Sequence, residues 1–220
     1  MNDKKICIII CVNKMHYLDE CRIYLSRLII PEGYEVELNV IEGALSMTSG
    51  YNEAMNETDA KYKIYMHQDT FITDIYFLQE MLDIFALDDK IGMIGIAGAR
   101  EMPNDGVMWH TDRVFAQYYK DNTDIDRCNV RCELSEASIV DVEAVDGFLM
   151  ATQYDIPWRQ DIFDGWDFYD ASQSKEFRKR GYRIVVPKLE KPVCVHDDGM
   201  ILNLDNYDKY RIKYLEEYGK

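Results

Sequence analysis

The stretch "YKIYMHQDTFI", residues 62–72, begins as an apolar, aromatic strand and then sets His67, Gln68 and Asp69 in succession. An imidazole, an amide and a carboxylate at the end of a core strand pack poorly and coordinate well. A second such ending occurs in "VCVHDDG", where an apolar run finishes in His196. A divalent cation held by one carboxylate and one imidazole, with phosphate oxygens completing its shell, is a usual form of magnesium and manganese sites. Asp69 and His196 fit that pattern. They also fit a plainer one, with Asp69 capping the following turn and His196 a satisfied, partly buried histidine, and spacing alone does not choose.

A second group is Asp164, Asp167 and Asp170, three apart and set among Phe163, Trp166, Phe168 and Tyr169. Residues at that spacing share a face at the start of a helix. A carboxyl desolvated among aromatic rings has its pKa raised, as suits a general base, while a helix N-terminus pulls the other way. Asp170 also reads as a cap for a helix over 171–180. Asn13 and Glu42 close two further apolar stretches, where they would hydrogen-bond a base or ribose or serve as ordinary loop polar groups. "GAREMPNDG" has no phosphate-cradling glycine pattern, and neither G-x-S-x-G nor H-E-x-x-H occurs.

The elements that must position these residues follow from periodicity. Residues 5–12 are apolar almost without a break, as a strand buried on both faces. Tyr17, Cys21, Tyr24, Leu25 and Leu28 then repeat at helical spacing until Pro31 and Gly33. "YEVELNVIEG" alternates as a second strand. Ser49 is expected to cap a short helix carrying Tyr51 and Met55. Residues 62–67 form a third strand, Thr73 is expected to cap a helix over Leu78, Met81, Leu82 and Phe85, and "IGMIGIAGA" reads as one fourth strand. The alternation over residues 1–100 predicts right-handed crossovers and a parallel sheet covered on both faces. Ligands of such sheets bind at the carboxyl ends of the strands, where His67, Gln68, Asp69, Asn13 and Glu42 lie. Residues 101–138 are polar without clear period and read as a long loop. "VEAVDGFLMATQ" returns as a strand, followed by an acidic, aromatic turn, a helix ending near Gly181, a strand ending at Pro187, the short strand to His196 and a helical tyrosine stripe at 207–218 that reads as packing.

Composition narrows the function. A net charge of −15 excludes a broad basic nucleic-acid face and disfavours anionic membranes, so an anionic ligand needs a local device such as a cation or a helix N-terminus. No apolar run approaches the ~18 residues of a membrane span. Ile6–Val12 follows two lysines but is short and ends at once in Asn13-Lys14, so a first core strand and a cytoplasmic location are expected rather than a signal peptide. Of the six cysteines, Cys7, Cys11 and Cys21 read as buried free thiols; Cys128 and Cys132 flank "NVR" without zinc-site spacing.

In order, these segments resemble family-2-like glycosyltransferases of the GT-A fold, and more narrowly their streptomycin-biosynthesis-type, glycosyltransferase-like subgroup. "SGYNEAMNETDAKYKIYMHQDTFI" is similar to the stretch leading into that family's metal-binding motif. "VDGFLMAT" and "FDGWDFYDASQSKEFRKRGYRIVVP" resemble its acceptor-side strand and catalytic helix, and "VHDDG" matches its late histidine. The likeness covers about residues 5–200. It implies an α/β domain over 1–220 with a mostly parallel central sheet, helices on both faces and a small antiparallel acceptor-side portion. Residues 1–100 would form the nucleotide-sugar half, 101–200 the acceptor and catalytic half, and 201–220 a C-terminal helix.

The resemblance further implies a nucleotide-diphosphate-sugar donor, a divalent cation (Mn2+ or Mg2+) and inverting transfer to an acceptor hydroxyl. Asp69 inherits the metal or phosphate role, with His67 where most members carry the first acid of Asp-x-Asp, and His196 becomes the second metal ligand. Cys11, Asn13, Glu42, Asn52, His67 and Gln68 would line the nucleotide pocket. Asp170 would be the general base, with Tyr169 in place of the usual preceding Glu and Ser172 in place of a later Asp. Asp146, Gly147, Trp166, Asp167 and Tyr169 fall on the acceptor side. The expected partners are these small molecules, and a homo-oligomer is compatible. One rival, a nucleotidyltransferase, lacks its glycine-rich basic loop in "CVNKMHYLDEC". The other, a non-catalytic sugar-nucleotide-binding or partner protein in polysaccharide assembly, is favoured by the missing first acid.

Overall fold

The computed structural model describes residues 1–122, 125–131, 138–197 and 204–219, with side chains described outside 121–137. The expectation for Cys128 and Cys132 lies outside the described side chains. Cys7, Cys11 and Cys21 are buried free thiols, as is Cys194.

Strand β1 (Asn2–Val12) is continuously apolar because it is covered twice. Ile6, Ile8 and Ile10 join one cluster with Leu18 and Cys21 of α1 (Met15–Leu25) and the apolar stripe of α3 (Phe77–Ala86). Cys7, Ile9 and Cys11 point the other way, joining Met47 and Tyr51 of α2 (Met47–Glu57) and Tyr169 and Phe177 of α4 (Tyr169–Lys179). Successive strand side chains face opposite sides, so each isoleucine buries its surface under a helix, worth about 1.5–3 kcal/mol apiece. β1 lies between β2 (Glu35–Glu42) and β3 (Ala60–His67), parallel to both, with Val12 opposite Glu42 and Cys11 opposite His67.

The first three strands therefore follow the predicted parallel pattern; the next does not. β11 (Leu149–Thr152) inserts antiparallel between β3 and β5 (Ile91–Gly95). β12 (Arg183–Pro187) runs parallel to β5, and β9 (Ile139–Asp141) closes that edge antiparallel. "IGMIGIAGA" is two strands, not one. After β5 the chain leaves for a second sheet as β6 (Ala97–Ala99), at a point where a side chain on Gly95 would lie 2.5 Å from Val145. That sheet runs β10 (Ala144–Val145), β6, β7 (Val114–Asn122), β13 (Cys194–His196), β4 (Thr70–Ile72), with β8 (Ile125–Arg131) paired to β7.

Residues 101–138, expected as a loop, thus contain the β7–β8 hairpin. Val114, Ala116 and Tyr118 do alternate into the core, but Gln117 and Lys120 hide the period. Likewise "VEAVDGFLMATQ" breaks at Asp146-Gly147 into β10 and β11. Three helix starts also move. Ser46, not Ser49, caps α2, through a reciprocal capping box in which Ser46 Oγ accepts from Ser49 N–H and Ser49 Oγ accepts from Ser46 N–H. α3 begins at Phe77, after a turn in which Tyr76 N–H donates to Asp74, so Thr73 caps nothing. α4 begins at Tyr169, with Phe168 in the cap position. The tyrosine stripe of α5 (Tyr207–Tyr218) packs Tyr210, Tyr214 and Tyr218 against Phe163, Phe168 and Ala171, as expected of a packing face.

Candidate active site

β3 carries His67 to the carboxyl edge of the central sheet, where its N–H donates to Phe148 C=O across to the segment before β11. The chain then crosses to the second sheet through Gln68 and Asp69. There β4 pairs antiparallel with β13, His196 opposite Thr70, and Asp197 N–H donates to Asp69 C=O. This short ladder brings together residues remote in sequence. Asp69 Oδ1 lies 3.7 Å from His196 Nε2 and 3.9 Å from His67 Nδ1. The potential ligand atoms of the three residues all lie within 4.8 Å of one another. Two atoms each ~2.1 Å from one ion are at most about 4.2 Å apart, so both pairs involving Asp69 are compatible with a shared cation. His196 is stacked on Phe148, ring centroids 4.7 Å apart. Burial, then the neighbouring His67, holds its pKa well below the usual histidine value, so the ring is neutral at pH 7 and its lone pair is open to a metal.

Beside this cluster, Gln68 ties the ends of β1 and β3 together. Its Oε1 accepts from Asn13 N–H (3.1 Å) and Lys14 N–H (2.9 Å), and its Nε2 donates to Asn13 Oδ1 (2.7 Å). Gln68 and Asn13 thus form the wall of a cavity of about 170 Å³ that Cys11, Met47, His67 and Asp69 also line. Burial raises the Cys11 thiol to about 12, which makes it a wall and not a nucleophile. Glu42 is exposed at the end of β2, and the lining of this cavity starts one residue later, at Gly43. Asn52 is not brought into it. Its amide donates to Trp158 C=O and Gln160 and accepts from Trp158 N–H, a tie between α2 and the 158–160 segment.

A second cavity, also about 170 Å³, adjoins the first, and His67 and Trp166 line both. Asp170 lies in it. Its Oδ2 accepts from Gly147 N–H (2.9 Å) and its Oδ1 from Ala171 N–H (2.7 Å). Burial and then the charge of Asp146 push its pKa up to about 7 against the pull of those donors. The expected row of three carboxylates is not formed, because α4 starts too late. Asp164 is paired with Lys213 at 2.7 Å and held down at about 2, facing α5. Asp167 lines the cavity and is raised by burial. Asp170 sits inside the first turn of α4, not at its cap, which is Phe168 at φ 60°. That left-handed conformation costs a non-glycine residue about 1–2 kcal/mol, and the packing of Phe168 on Tyr207 and Tyr214 holds it.

Asp146 Oδ2 accepts from Trp109 Nε1 and its Oδ1 from Phe148 N–H, both at 3.2 Å. Trp166 is half-exposed at the junction of the cavities, whereas Tyr169 is buried with its hydroxyl on His67 Nε2. Trp166, Phe168 and Tyr169 all line the second cavity, and Tyr169 also engages His67. The sequence reading missed Trp109 and Tyr207, which line this second cavity. The available signal was a tryptophan and methionines inside a polar stretch, "EMPNDGVMWHTD".

The model of the "Glycosyltransferase like family" matches residues 7–218. No curated protein matches the chain in sequence. Among solved structures, the mannosyltransferase PcManGT from Pyrobaculum calidifontis, in complex with GDP-Man and Mn2+, superposes with a TM-score of 0.56 at 12% identity, over 96% of this chain and 61% of that one. S. aureus TarS 1–349 in complex with UDP superposes with a TM-score of 0.57 at 11% identity, over 96% and 65%. Its complex with UDP-GlcNAc gives 0.56 at 10% identity, over 96% and 66%. The fold is therefore that of the GT-A glycosyltransferases, and the chain spans about two thirds of the length of these neighbours. Among the described residues no helix is long and apolar enough to cross a membrane.

Proposed function

The chain belongs to the glycosyltransferase-like family, and from that premise we propose that it moves a sugar from a nucleotide-diphosphate donor to an acceptor hydroxyl with inversion at the sugar. The streptomycin-biosynthesis-type subgroup is our finer placement, on the stretches quoted above. One observation carries the reading: His67 and Asp69 of a metal-competent cluster, and a carboxyl with pKa about 7, line two cavities that meet at His67 and Trp166.

In this reading the nucleotide occupies the cavity walled by Cys11, Asn13 and Gln68, and the acceptor the cavity over Asp170. His67, Asp69 and His196 would hold a divalent cation, and their two imidazoles and one carboxylate suit a first-row transition ion, Mn2+ among them, better than Mg2+. When bound, the cation supplies charge that holds the diphosphate and offsets the charge developing on it as the glycosidic bond stretches. Asp170 accepts the acceptor hydroxyl proton. Gly147 and Ala171 N–H groups fix its carboxylate, and a pKa near neutrality keeps it both ionised and basic enough to act. Trp166 lines both cavities and offers a flat apolar face to both substrates. Alignment of acceptor and donor supplies much of the remaining acceleration.

The test is transfer or hydrolysis of UDP- and GDP-sugars with Mn2+, alongside nucleotide binding. Asp170→Asn should abolish turnover with nucleotide affinity kept; surviving activity refutes the base assignment. Nucleotide binding without turnover in the unaltered protein, across both donor sets, would instead identify a sugar-nucleotide-binding subunit.

A further inference from the structure

Tyr169 is the feature the mechanism above does not use. Its phenol is buried between two chemical centres, adjacent in sequence to Asp170 and bonded through its hydroxyl to His67 Nε2. Its ring packs edge-on to Tyr51 at 5.9 Å and near Trp158 at 6.1 Å, which leaves it little room to rotate. The fold makes space for the contact at Gly147, where a side-chain carbon would fall 2.0 Å from the Tyr169 oxygen. Three separate segments thus converge on this hydrogen bond: the end of β3, the turn between β10 and β11, and the first turn of α4.

We propose that Tyr169 is a positioning residue that turns His67 Nδ1 toward Asp69, completing a donor set of two imidazoles and one carboxylate that prefers Mn2+ over Mg2+. This rests on the metal-dependent reading above. The ring has two nitrogens with different tasks. With Nε2 engaged by the phenol, Nδ1 is the one that faces Asp69 at 3.9 Å. A tyrosine hydroxyl can either donate or accept. It can donate to Nε2 when Nδ1 carries the proton, and accept from Nε2–H when the Nδ1 lone pair is given to a metal. The partner on the far nitrogen of a ligating histidine sets its tautomer and orientation, and removing it typically costs about 10–100-fold in metal affinity. Nitrogen ligands are accepted along the first-row series that begins at Mn2+, whereas Mg2+ takes oxygen ligands and dehydrates reluctantly. Where a second acid would offer the ion an oxygen, His67 offers a nitrogen, so metal preference should follow.

The experiment measures metal binding directly, by Mn2+ electron paramagnetic resonance and Co2+ visible absorption, with and without UDP or GDP. Wild type should bind Mn2+ more tightly than Mg2+ and give a Co2+ spectrum with nitrogen ligation. Tyr169→Phe, nearly isosteric, should weaken Mn2+ about 10–100-fold and alter the Co2+ spectrum with thermal stability held. His67→Asp should lower the Mn2+/Mg2+ affinity ratio. A Tyr169→Phe protein with wild-type Mn2+ affinity and Co2+ spectrum overturns the proposal, as does an unchanged ratio in His67→Asp. Because these readouts need no acceptor and no turnover, either failure leaves the transferase assay standing on its own. Absence of any metal binding, with or without nucleotide, would overturn both.

Discussion

The sharpest consequence of the site is that its proposed base is held at a cost to the fold. Asp170 titrates at about 7 in the folded protein against an ordinary 3.8, mainly through burial and secondly through Asp146. Between those values the unfolded chain carries the charge and the folded one the proton, so stability falls as pH rises, by about 1.4 kcal/mol per unit. The full destabilisation is about 4 kcal/mol; it is absent below pH ~4 and complete above pH ~7. Asp170→Asn removes it. The amide also turns an N–H toward one of the two backbone donors, Gly147 or Ala171, which costs about 1–3 kcal/mol at every pH. The pH dependence of the difference separates the two effects. Between pH ~5 and pH ~8 the variant should gain about 2–3 kcal/mol on the wild type. For a chain of 220 residues that is a Tm gap widening by roughly 5–10 °C. Calorimetry on the ligand-free proteins at both pH values, with the transfer assay run in parallel, checks it. A gap that stays constant or narrows toward the higher pH would refute the claim that Asp170 is a desolvated, high-pKa carboxyl, whatever the activity shows.

Further outcomes follow from the same geometry. Asp146→Asn removes the charge that helps raise Asp170, so the acid limb of the kcat/KM profile should move to lower pH; an unmoved limb would show that burial alone sets it. Asp69→Ala should abolish the Mn2+-dependent part of nucleotide affinity in titration calorimetry, while nucleotide binding in chelator stays as it was. Gly147→Ala places a carbon 2.0 Å from the Tyr169 hydroxyl and should reduce Mn2+ affinity at least as much as Tyr169→Phe, as read by paramagnetic resonance. Ser46→Ala removes the Ser46 Oγ half of the α2 capping box and should cost about 1 kcal/mol in denaturant unfolding, leaving metal binding intact.

What the sequence made legible was whatever the local period or a strand end announces. The parallel β1–β3 core is plain in "ICIIICV" and "YKIYMH", and both ends of the metal cluster were visible as polar residues terminating apolar runs. The misses have physical causes. β11 comes from the second half of the chain to part β3 from β5, and such a long-range insertion leaves no local trace. The β7 strand hides behind Gln117 and Lys120. Asn52 was placed in the pocket by the resemblance alone, and α2 directs its amide to Trp158 instead. Asp170 was found by its aromatic neighbours, but its cap role was wrong, because nothing local betrays that Phe168 takes a left-handed conformation instead.

A core strand broken by an imidazole, an amide and a carboxylate is explained by how the two sheets join. β3 passes into β4 through His67–Asp69, β5 into β6 through Ile96, and β10 into β11 through Asp146–Phe148. At each crossing the chain leaves one sheet before it enters the other, so the local side chains are released from packing on both faces. The crossing at Ile96 stays apolar and is buried. The other two use that freedom for polar groups, and their backbones are tied directly, by His67 N–H to Phe148 C=O. One crossing carries His67 and Asp69 of the metal-competent cluster, and the other supplies Gly147 N–H to Asp170 and the space for Tyr169. An acidic chain with a net charge of −15 cannot attract a diphosphate by its surface. In the proposed reading it would do so at this seam, where a cation on His67, Asp69 and His196 would reverse the sign of the field locally, while the proposed base Asp170 lines the neighbouring cavity that shares His67.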